Sequence, residues 1–358
     1  MAEYKAIFNV LDFGACGDGS KNDTAALQAA LDAARDVEGK VIIPAGVYRI
    51  GTVRIYAGVS LYGDAGWGID QGQGGTQIVF DGDDDALGCL DISDAYGCVL
   101  HGLSLEGGKR GKFVSGIYLD RKGTGKDVED TAHIENCRVA NFTGDGLHFN
   151  GIWCDSVRHC VFESNGRYGV FVSGWDIFFY DNLLRRNGSH GLGAENNAFN
   201  SITAQNNRFE ENGGAGLQFK GGNLASFMGN TFCNNAGPGI EIGDRGQVSN
   251  AYVLSSNTFL GNGRERTDET SCHVYIDYTH NIVLDCNVMT AADDGFAPRY
   301  GIVHKRLWST LIRNNALSGS YSERAILDLG AKNGYVLIGE NVGTTAGKMP
   351  LSWDGKEC

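Results

Sequence analysis

The sequence predicts an all-β fold, a β-solenoid of stacked coils, and three observations support this prediction. A motif of about 23 residues recurs at least eight times between Ala132 and Ala331, and a fixed period in this range is typical of solenoids. Each unit contains strand-length apolar runs separated by Asn and Gly turns, with no helical pattern between them. The 358 residues include 53 Gly and only 4 Pro, as expected where every coil turns several times.

Each repeat has two halves. The first half is a small polar residue or Cys, then any residue, then an apolar residue. It reads Cys137-Arg138-Val139, Cys160-Val161-Phe162, Asn182-Leu183-Leu184, Asn207-Arg208-Phe209, Asn230-Thr231-Phe232, Asn257-Thr258-Phe259, Cys286-Asn287-Val288 and Asn315-Ala316-Leu317. The second half is a Gly that opens an apolar-polar-apolar run, at Gly146, Gly169, Gly191, Gly216 and Gly239. Because one unit cannot bury its apolar face alone, the coils must stack to form a continuous core.

A helix is predicted before the first coil. The apolar residues Ala26, Leu27, Ala30, Leu31 and Ala34 recur at helical spacing, and Asn22 or Asp23 precedes them as a suitable N-cap. A helix at this place would cover the open end of the core, as solenoids require. We therefore expect a single domain over residues 1–358, with a cap segment at 1–38, coils at 39–331 and a C-terminal end at 332–358.

The charge balance limits the partners. A net charge of −13 argues against a nucleic acid or an anionic membrane as the main partner. No apolar run approaches the roughly 18 residues of a membrane span. The first ten residues lack the apolar region of a secretory signal, which leaves open a protein that stays inside the cell or one exported after its signal is removed.

The chain contains ten cysteines. Cys137, Cys160 and Cys286 occupy repeat positions where a small buried side chain would stack on the next coil, so we expect reduced, structural thiols. Since no C-x-x-C pair occurs, a structural zinc site is not expected.

The N-terminal segment carries a family resemblance. It runs Asp12-Phe13-Gly14-Ala15, Gly17-Asp18-Gly19 and Asp23-Thr24-Ala25-Ala26-Leu27, followed by Val41-Ile42-Ile43-Pro44-Ala45-Gly46-Val47-Tyr48. This run closely resembles the opening of pectate-lyase-like right-handed parallel β-helix proteins. That superfamily includes polygalacturonases and other glycoside hydrolases, polysaccharide lyases, fructotransferases and phage tailspikes. The resemblance implies a right-handed parallel β-helix, a poly- or oligosaccharide lying along one face, and a possible homotrimer; it does not by itself define the reaction.

In the strand after each repeat's Gly, residues alternate between core and solvent. Two outward columns result. One is His148, Phe171, Gly193, Gln218, Glu241 and Tyr275; the other is Asn150, Ser173, Glu195, Lys220, Gly243 and Asp277. Strands of successive coils lie about 4.8 Å apart, so we expect a continuous sugar-binding surface. The residues expected to bind substrate on it are His148, Gln218, Lys220 and Tyr275.

Hydrolysis of a glycosidic bond needs two carboxyl groups. Glu241 and Asp277 lie on adjacent coils with an offset of two residues, which predicts about 8 Å between their Cα atoms. This is within the roughly 6.5–9.5 Å carboxyl separation of inverting enzymes. We therefore predict Glu241 and Asp277 as the acid/base pair, with Glu195 as a substitute. Lys220 would hold one carboxylate ionised.

His190 is a further candidate for substrate binding. Ser189-His190-Gly191 is similar to the Gly-His-Gly of polygalacturonases, and Gln218-Phe219-Lys220 to their Arg-Ile-Lys, without its arginine. However, no Asp-Asp pair lies one coil before His190. An ordinary turn residue is the alternative interpretation of His190.

Two other functions remain open. A lyase or epimerase needs a base that removes the proton next to a uronate carboxylate, with Ca²⁺, Arg or Asn neutralising that group. The candidate bases are Lys220, Tyr275, His148, His273 and Lys305, whereas the Asp-Pro-His-Asp of alginate epimerases is absent. No cofactor or metal is expected, except that Ca²⁺ is a candidate if the protein is a lyase. The acidic run at 81–85 is a candidate Ca²⁺ site, but it lacks EF-hand spacing, and a solvated loop is the alternative interpretation. The third function is that of a tailspike-like glycan-binding protein.

Insertions and tryptophans complete the predicted binding face. The insertions Glu106–Asp130, Gly261–Ser271 and Ala291–Arg299 break the period and are expected to flank this face. Trp67, Trp153, Trp175 and Trp308 are candidates for stacking on sugar rings, and Trp353 is assigned to the C-terminal cap. The function that these observations favour is a carbohydrate-active enzyme that cleaves glycosidic bonds by hydrolysis or intramolecular transfer.

Overall fold

The computed structural model describes residues 6–64, 74–121, 131–195, 199–243, 248–317, 319–330 and 333–343. These residues form an all-β parallel solenoid, which confirms the predicted fold class. They group into two compact units: unit 1 comprises residues 1–194 and 199–203, and unit 2 comprises residues 195–198 and 204–358. The single domain over residues 1–358 stays a prediction.

Unit 1 begins with a strand, a short 3-10 helix (Val10–Phe13) and, after the second strand, helix α1 (Thr24–Arg35). Its strands are β1 (Ile7–Asn9), β2 (Asp18–Asn22), β3 (Lys40–Ile43), β4 (Gly46–Ile50), β5 (Val53–Tyr56), β6 (Ser60–Gly63), β7 (Thr76–Phe80), β8 (Gly88–Asp94), β9 (Val99–His101), β10 (Ser104–Glu106), β11 (Ser115–Asp120), β12 (His133–Glu135), β13 (Arg138–Ala140), β14 (Leu147–Trp153), β15 (Ser156–Arg158), β16 (Val161–Glu163), β17 (Val170–Tyr180), β18 (Leu183–Arg185) and β19 (Leu192–Ala194). The division between the units lies within β20 (Phe199–Gln205).

The strands of unit 2 are β21 (Arg208–Glu210), β22 (Leu217–Phe219), β23 (Gly222–Met228), β24 (Thr231–Cys233), β25 (Ile240–Ile242), β26 (Ser249–Ser255), β27 (Thr258–Leu260), β28 (Cys272–Asp277), β29 (Thr279–Asp285), β30 (Val288–Thr290), β31 (Tyr300–Lys305), β32 (Trp308–Arg313), β33 (Arg324–Asp328) and β34 (Val336–Gly339).

The strands of each unit form three parallel stacks. In unit 1 the first stack is β5-β8-β11-β14-β17-β19, the second is β2-β4-β7-β10-β13-β16-β18, and the third is β1-β3-β6-β9-β12-β15-β17. In unit 2 the first stack is β22-β25-β28-β31-β33, the second is β21-β24-β27-β30, and the third is β23-β26-β29-β32-β34. Side chains that point inward from the stacks form the core.

The repeat motif supplies both the core and its polar turns. In unit 2, Phe209, Phe232 and Phe259 stack with ring centroids 4.8 and 4.9 Å apart. The small polar position of the motif forms a buried ladder, in which the side-chain amide of Asn230 donates to Asn257 and that of Asn257 donates to Asn287. These bonds satisfy polar groups that would otherwise be buried without partners.

One repeat is shifted by a residue from its predicted alignment. We expected Cys286 at the buried position, but Cys286 is exposed and Asn287 is 1% exposed. Asn287 accepts from the side-chain amide of Asn257 and donates to Asn315. The prediction for Cys286 is therefore wrong: the carboxamide makes two ladder bonds there, and only one of two adjacent small residues can face inward.

Helix α1 is present where the helical spacing predicts it. Leu27, Ala30, Leu31 and Ala34 are buried, and the helix packs against strands β1, β3 and β5. Asp23 occupies the N-cap without a side-chain capping bond; its carboxylate instead accepts from the backbone N–H of Cys16. The role of α1 as a cap of the solenoid stays a prediction.

The nine cysteines that the structure describes are all free thiols, in agreement with the expected reduced state. Within the same described ranges, no helix is long and apolar enough to span a membrane.

Candidate functional site

Segments of the predicted first column are present as registers of the first stacks, and Asn150 and Ser173 of the second column are also paired. In unit 1, His148 pairs with Phe171, and Phe171 with Gly193. In unit 2, Gln218 pairs with Glu241, and Glu241 with Tyr275. The alternation of apolar and polar residues thus correctly predicted which residues are neighbours.

In unit 2, however, several column residues are covered. Gln218, Tyr275 and Asp277 are only 6%, 8% and 4% exposed. Tyr275 packs in a small cluster of buried residues with Cys272, Tyr300 and Val303. The expectation that Gln218, Tyr275 and Asp277 face open solvent is therefore wrong, because alternation predicts a side chain's direction but not what packs over it.

Asp277 takes part in an ion pair that occupies both of its oxygens. The Nε and Nη2 atoms of Arg306 donate to Oδ1 and Oδ2 at 2.7 and 2.6 Å, and Nζ of Lys305 lies 3.5 Å from Oδ2. A bidentate pair of this kind fixes the orientation of the carboxylate toward the protein. This geometry disfavours Asp277 as the base that activates water.

Glu241, by contrast, has a carboxyl group whose buried environment favours the protonated form. Burial raises the pKa of its carboxyl group, and Nε2 of Gln218 donates to Oε2 at 3.3 Å. Glu195, directly after β19, and Lys220, directly after β22, are both half-buried. The catalytic roles of Glu241 and Glu195, and the substrate-binding role of Lys220, stay predictions.

The first stack of unit 1 carries a more accessible cluster. Tyr118, His148 and Phe171 occupy paired outward positions of β11, β14 and β17, and we call them the aromatic column. Their rings stack at centroid distances of 5.2 and 4.9 Å, with interplanar angles of 10° and 14°. All three side chains are half-buried, so each keeps an edge open to a ligand.

His148 is oriented by a buried carboxylate. Its Nδ1 lies 2.8 Å from Oδ2 of Asp145, which is 1% exposed and lies in the turn before β14. Because an ionised carboxylate only accepts hydrogen bonds, the contact fits an imidazole that donates through Nδ1; in the neutral form of that tautomer Nε2 carries the lone pair. Asp145 is itself held, since its Oδ1 accepts the backbone N–H of Tyr168 at 3.1 Å.

The second column adds polar groups beside the aromatic column. Nδ2 of Asn150 donates to Oδ1 of Asp120 at 3.1 Å, and the hydroxyl of Tyr118 donates to Oδ2 of Asp120 at 3.4 Å. Burial, together with the charge of Asp120, raises the pKa of Tyr118 to about 12. Tyr118 therefore keeps its proton near neutral pH.

His190 reaches this cluster through Tyr168. The rings of Tyr168 and His190 have centroids 5.3 Å apart, and those of Tyr168 and Phe171 are 5.7 Å apart. The structure thus brings together His148 and His190, which the sequence suggested separately. Their roles as substrate-binding residues stay predictions.

Sequence reasoning missed Tyr118, Asp120 and Asp145. Tyr118 and Asp120 pair with His148 and Asn150, but they lie in a segment interpreted as an insertion, so the columns were not extended to them. The sequence signal that could have indicated them is the spacing of two residues between Tyr118 and Asp120, which equals that between His148 and Asn150. Asp145 precedes the repeat's Gly and carried no periodic signal.

Two of the four aspartates in the acidic run at 81–85 form ion pairs within the protein. Asp81 forms ion pairs with Arg49 and Arg110, and Asp85 pairs with Lys112. Among the residues that the structure describes, no group of three or more His, Cys, Asp and Glu side chains is arranged to hold a metal ion. The expectations about Ca²⁺ and cofactors stay predictions.

The insertion loops contact one another in unit 2. Arg264 of the second insertion forms an ion pair with Asp294 of the third and lies 4.7 Å from the centroid of the Phe296 ring. Residues 122–130 of the first insertion, Trp67 and Trp353 lie outside the described residues.

Residues 7–241 match the family model described as rhamnogalacturonase A/epimerase, pectate lyase-like. The chain belongs to this family. The match covers the aromatic column, Asp145 and Asn150, and it confirms the resemblance seen in the N-terminal segment.

Curated relatives of this family member come from Azotobacter vinelandii. The mannuronan C5-epimerase AlgE5 is 33% identical over 241 residues, which are 60% of this chain and 23% of the relative. Alginate lyase 7 is 32% identical over 201 residues, which are 52% of this chain and 23% of the relative. The chain thus spans about a quarter of the length of these relatives.

Two solved structures resemble the fold. The A-module of the A. vinelandii mannuronan C-5 epimerase AlgE4 has a TM-score of 0.73 at 24% identity, covering 94% of this chain and 96% of that chain. The Dettilon tailspike protein has a TM-score of 0.68 at 13% identity, covering 93% of this chain and 68% of that chain. At such identities the likeness supports the fold alone.

Proposed function

We propose that this protein is a carbohydrate-active enzyme that acts on a uronic-acid polymer and removes the proton next to the uronate carboxyl group. The names of the relatives support this substrate class and this chemistry, since they include epimerases and a lyase. The observation that carries the proposal is the contact between Nδ1 of His148 and Asp145, because it leaves Nε2 of an oriented imidazole free to act as a base.

In the proposed reaction His148 accepts the proton through Nε2. The electron pair of the broken C–H bond forms a C=C bond as the bond to the glycosidic oxygen breaks. Asp145 stabilises the imidazolium that results, as a buried carboxylate does beside other catalytic histidines.

The leaving oxygen needs a proton, and Tyr118 is placed to give it. Its ring stacks on His148, so base and acid approach the sugar from the same side. The raised pKa of Tyr118 keeps the phenol protonated until charge develops on the leaving oxygen. The phenolate that forms regains its proton from His148 or from solvent, which completes the cycle.

The uronate carboxylate must be neutralised while the proton leaves. Asn150 lies beside His148 on β14, and its amide can donate to a carboxylate. The half-exposed guanidinium of Arg167 has its Nε atom 3.7 Å from Oδ1 of Asp145, beside the same dyad. We propose that Asn150 and Arg167 serve in place of a metal ion, so that chelators leave the activity unchanged.

We place elimination ahead of epimerisation. Both reactions begin with the same proton transfer, but the Asp-Pro-His-Asp signature of alginate epimerases is absent from this sequence. An epimerase must also return a proton to the opposite face of the sugar, whereas Tyr118 and His148 lie on one face of the stack.

Hydrolysis by paired carboxylates is the second candidate. The raised pKa of Glu241 favours it, because a general acid must be protonated at working pH. Its predicted partner Asp277 is bound to Arg306, so Glu195 would have to supply the second carboxylate. A glycan-binding protein without catalysis and a homotrimer both remain predictions from the fold.

The test is an analysis of products from polymannuronate, polygalacturonate and a neutral polysaccharide. Elimination predicts products with no added water and the ultraviolet absorbance of unsaturated uronates. His148→Gln and Asp145→Asn should lower the rate by about 10²–10⁴, the usual contribution of general acid–base catalysis. Glu241→Gln is the matched control and should retain the parental rate.

Two results would contradict the elimination mechanism. Products carrying one water per cleavage, with activity lost in Glu241→Gln, would establish hydrolysis. A full rate of elimination in His148→Gln would remove His148 as the base.

A further inference from the structure

We propose that Trp153 and Trp175 form a stacking subsite for a sugar ring of the same polymer, some distance from the reacting bond. The inference rests on the proposed function for its substrate class, a uronic-acid polysaccharide. It is carried by the placement of the two indoles on the strands that also carry His148 and Phe171.

A bulge at Gly151 and an unusual backbone conformation at Gly174 precede the two tryptophans. Between Asn150 and Ile152 the register of β14 against β17 shifts, with Gly151 as the extra residue at a φ of 81°. Gly174 has a φ of 146°, and a Cβ atom there would lie 2.1 Å from the carbonyl oxygen of Ile152. Only glycine adopts this conformation at so close an approach.

After this bulge Trp153 and Trp175 are paired in register. Their rings meet edge to face, with centroids 6.1 Å apart and an interplanar angle of 63°. The Nε1–H of Trp153 donates to Oδ2 of Asp176 at 3.0 Å, which holds the indole in one orientation. An indole ordered in this way loses little conformational freedom when it binds a ligand.

Trp175 keeps half of its surface open. It is 49% exposed, although an indole is the largest apolar side chain and gains most from burial. The apolar face of a pyranose covers such a ring, while its hydroxyl groups bind polar neighbours. The carboxylate of Asp176, which already accepts from Trp153, lies beside the rings and can accept from sugar hydroxyls.

The distance from the aromatic column identifies the kind of ligand. Trp175 follows Phe171 by four residues on β17, which is at most about 13 Å along the strand, with Gly174 at a φ of 146° between them. We infer that an oligosaccharide bound at His148 extends to the indoles. The subsite therefore favours long substrates over short ones.

The experiment measures binding separately from catalysis. Trp175→Ala, Trp175→Phe and Tyr335→Ala are made in the His148→Gln background, and calorimetry measures the Kd for polymannuronate, polygalacturonate and their disaccharides. Tyr335 is the matched control, because it is an aromatic residue that is 82% exposed and has no binding role assigned to it.

Trp175→Ala is expected to weaken polymer binding about 10-fold, equivalent to about 1.4 kcal/mol. Trp175→Phe should keep most of the affinity because it keeps an aromatic face, and Tyr335→Ala should bind like the parent. Binding of the disaccharides should not change. In the His148-containing enzyme, Trp175→Ala should raise KM for the polymer and leave kcat unchanged.

Several outcomes overturn the subsite. The subsite is refuted if Trp175→Ala binds the polymers as tightly as its parent, the His148→Gln variant. This holds whether or not His148→Gln retains activity. A parent that binds none of the polymers also refutes the subsite. If Trp175→Ala instead dissociates an oligomer in light scattering without changing polymer affinity, the indoles form a contact between copies of the chain. If Trp175→Ala does not change polymer affinity but elimination still depends on His148, the subsite is refuted and the proposed function stands.

Discussion

Replacing Asn257 by alanine should destabilise unit 2 far more than an ordinary polar substitution. Asn257 is fully buried, and its carboxamide makes four hydrogen bonds. Oδ1 accepts from the backbone N–H and the side-chain amide of Asn230, and Nδ2 donates to the carbonyl of Phe227 and to Oδ1 of Asn287. All four are lost in Asn257→Ala.

The magnitude follows from these bonds. At a net contribution of about 1 kcal/mol each, their loss lowers the free energy of unfolding by about 4 kcal/mol. Every buried partner that finds no replacement adds about 1–3 kcal/mol. The ladder also loses continuity, because Asn257 joins the coil of Asn230 to that of Asn287.

Asn250→Ala is the matched control. Asn250 is a half-buried residue of β26, and its side chain accepts one hydrogen bond from Asn281 at 2.8 Å, so its removal should cost only about 1 kcal/mol. Equilibrium unfolding in urea measures both variants, with an unchanged slope showing that the change lies in stability. Equal midpoints for Asn257→Ala and Asn250→Ala would refute the assignment of the ladder as a main source of stability.

Three further predictions concern buried ionisable groups. Burial lowers the pKa of His273 from its usual 6.5 to about 4, so the unfolded chain binds a proton at a higher pH than the folded chain does. The free energy of unfolding, measured by calorimetry, should therefore fall by about 3 kcal/mol as the pH decreases from 6.5 to 4. A free energy of unfolding that does not fall in this range would contradict the burial of His273. Arg306→Ala removes the bidentate partner of the buried Asp277 carboxylate and leaves it only Lys305, at 3.5 Å. The loss should approach the roughly 3–5 kcal/mol of a broken buried pair in urea unfolding. Adding Asp277→Ala should recover part of this loss, and no recovery would argue against the pair. Burial raises the pKa of the Cys160 thiol. A thiol reagent should therefore label the exposed Cys16 in the native protein and Cys160 only after unfolding. Labelling of Cys160 in the native protein would contradict its place in the core.

Much of the fold could be predicted from the sequence because its signal is periodic. Side chains alternate with a period of two along a strand, and the repeat sets which strands stack. Those two regularities correctly paired His148 with Phe171 and Gln218 with Glu241. They failed at Cys286 and Asn287, since both neighbours fit the motif and only packing in the coil decides which one is buried.

The candidate site was harder to predict because it depends on contacts without a period. The ion pair of Asp277 comes from Arg306, 29 residues away, and nothing in the spacing of the two residues indicates it. Asp145 acts on His148 from a turn rather than from a strand. Each of these contacts changes the chemistry that the columns alone suggested.

The sequence by itself determined the solenoid, the direction of strand residues outside the shifted repeat at Cys286, and several neighbours across coils, because these follow from local alternation and a repeated length. Only the tertiary structure decided which outward residues stay accessible and which carboxylates are held in ion pairs. Accessibility and protonation depend on whatever packs over a side chain, and in this chain those groups come from turns and loops whose positions the repeat does not specify.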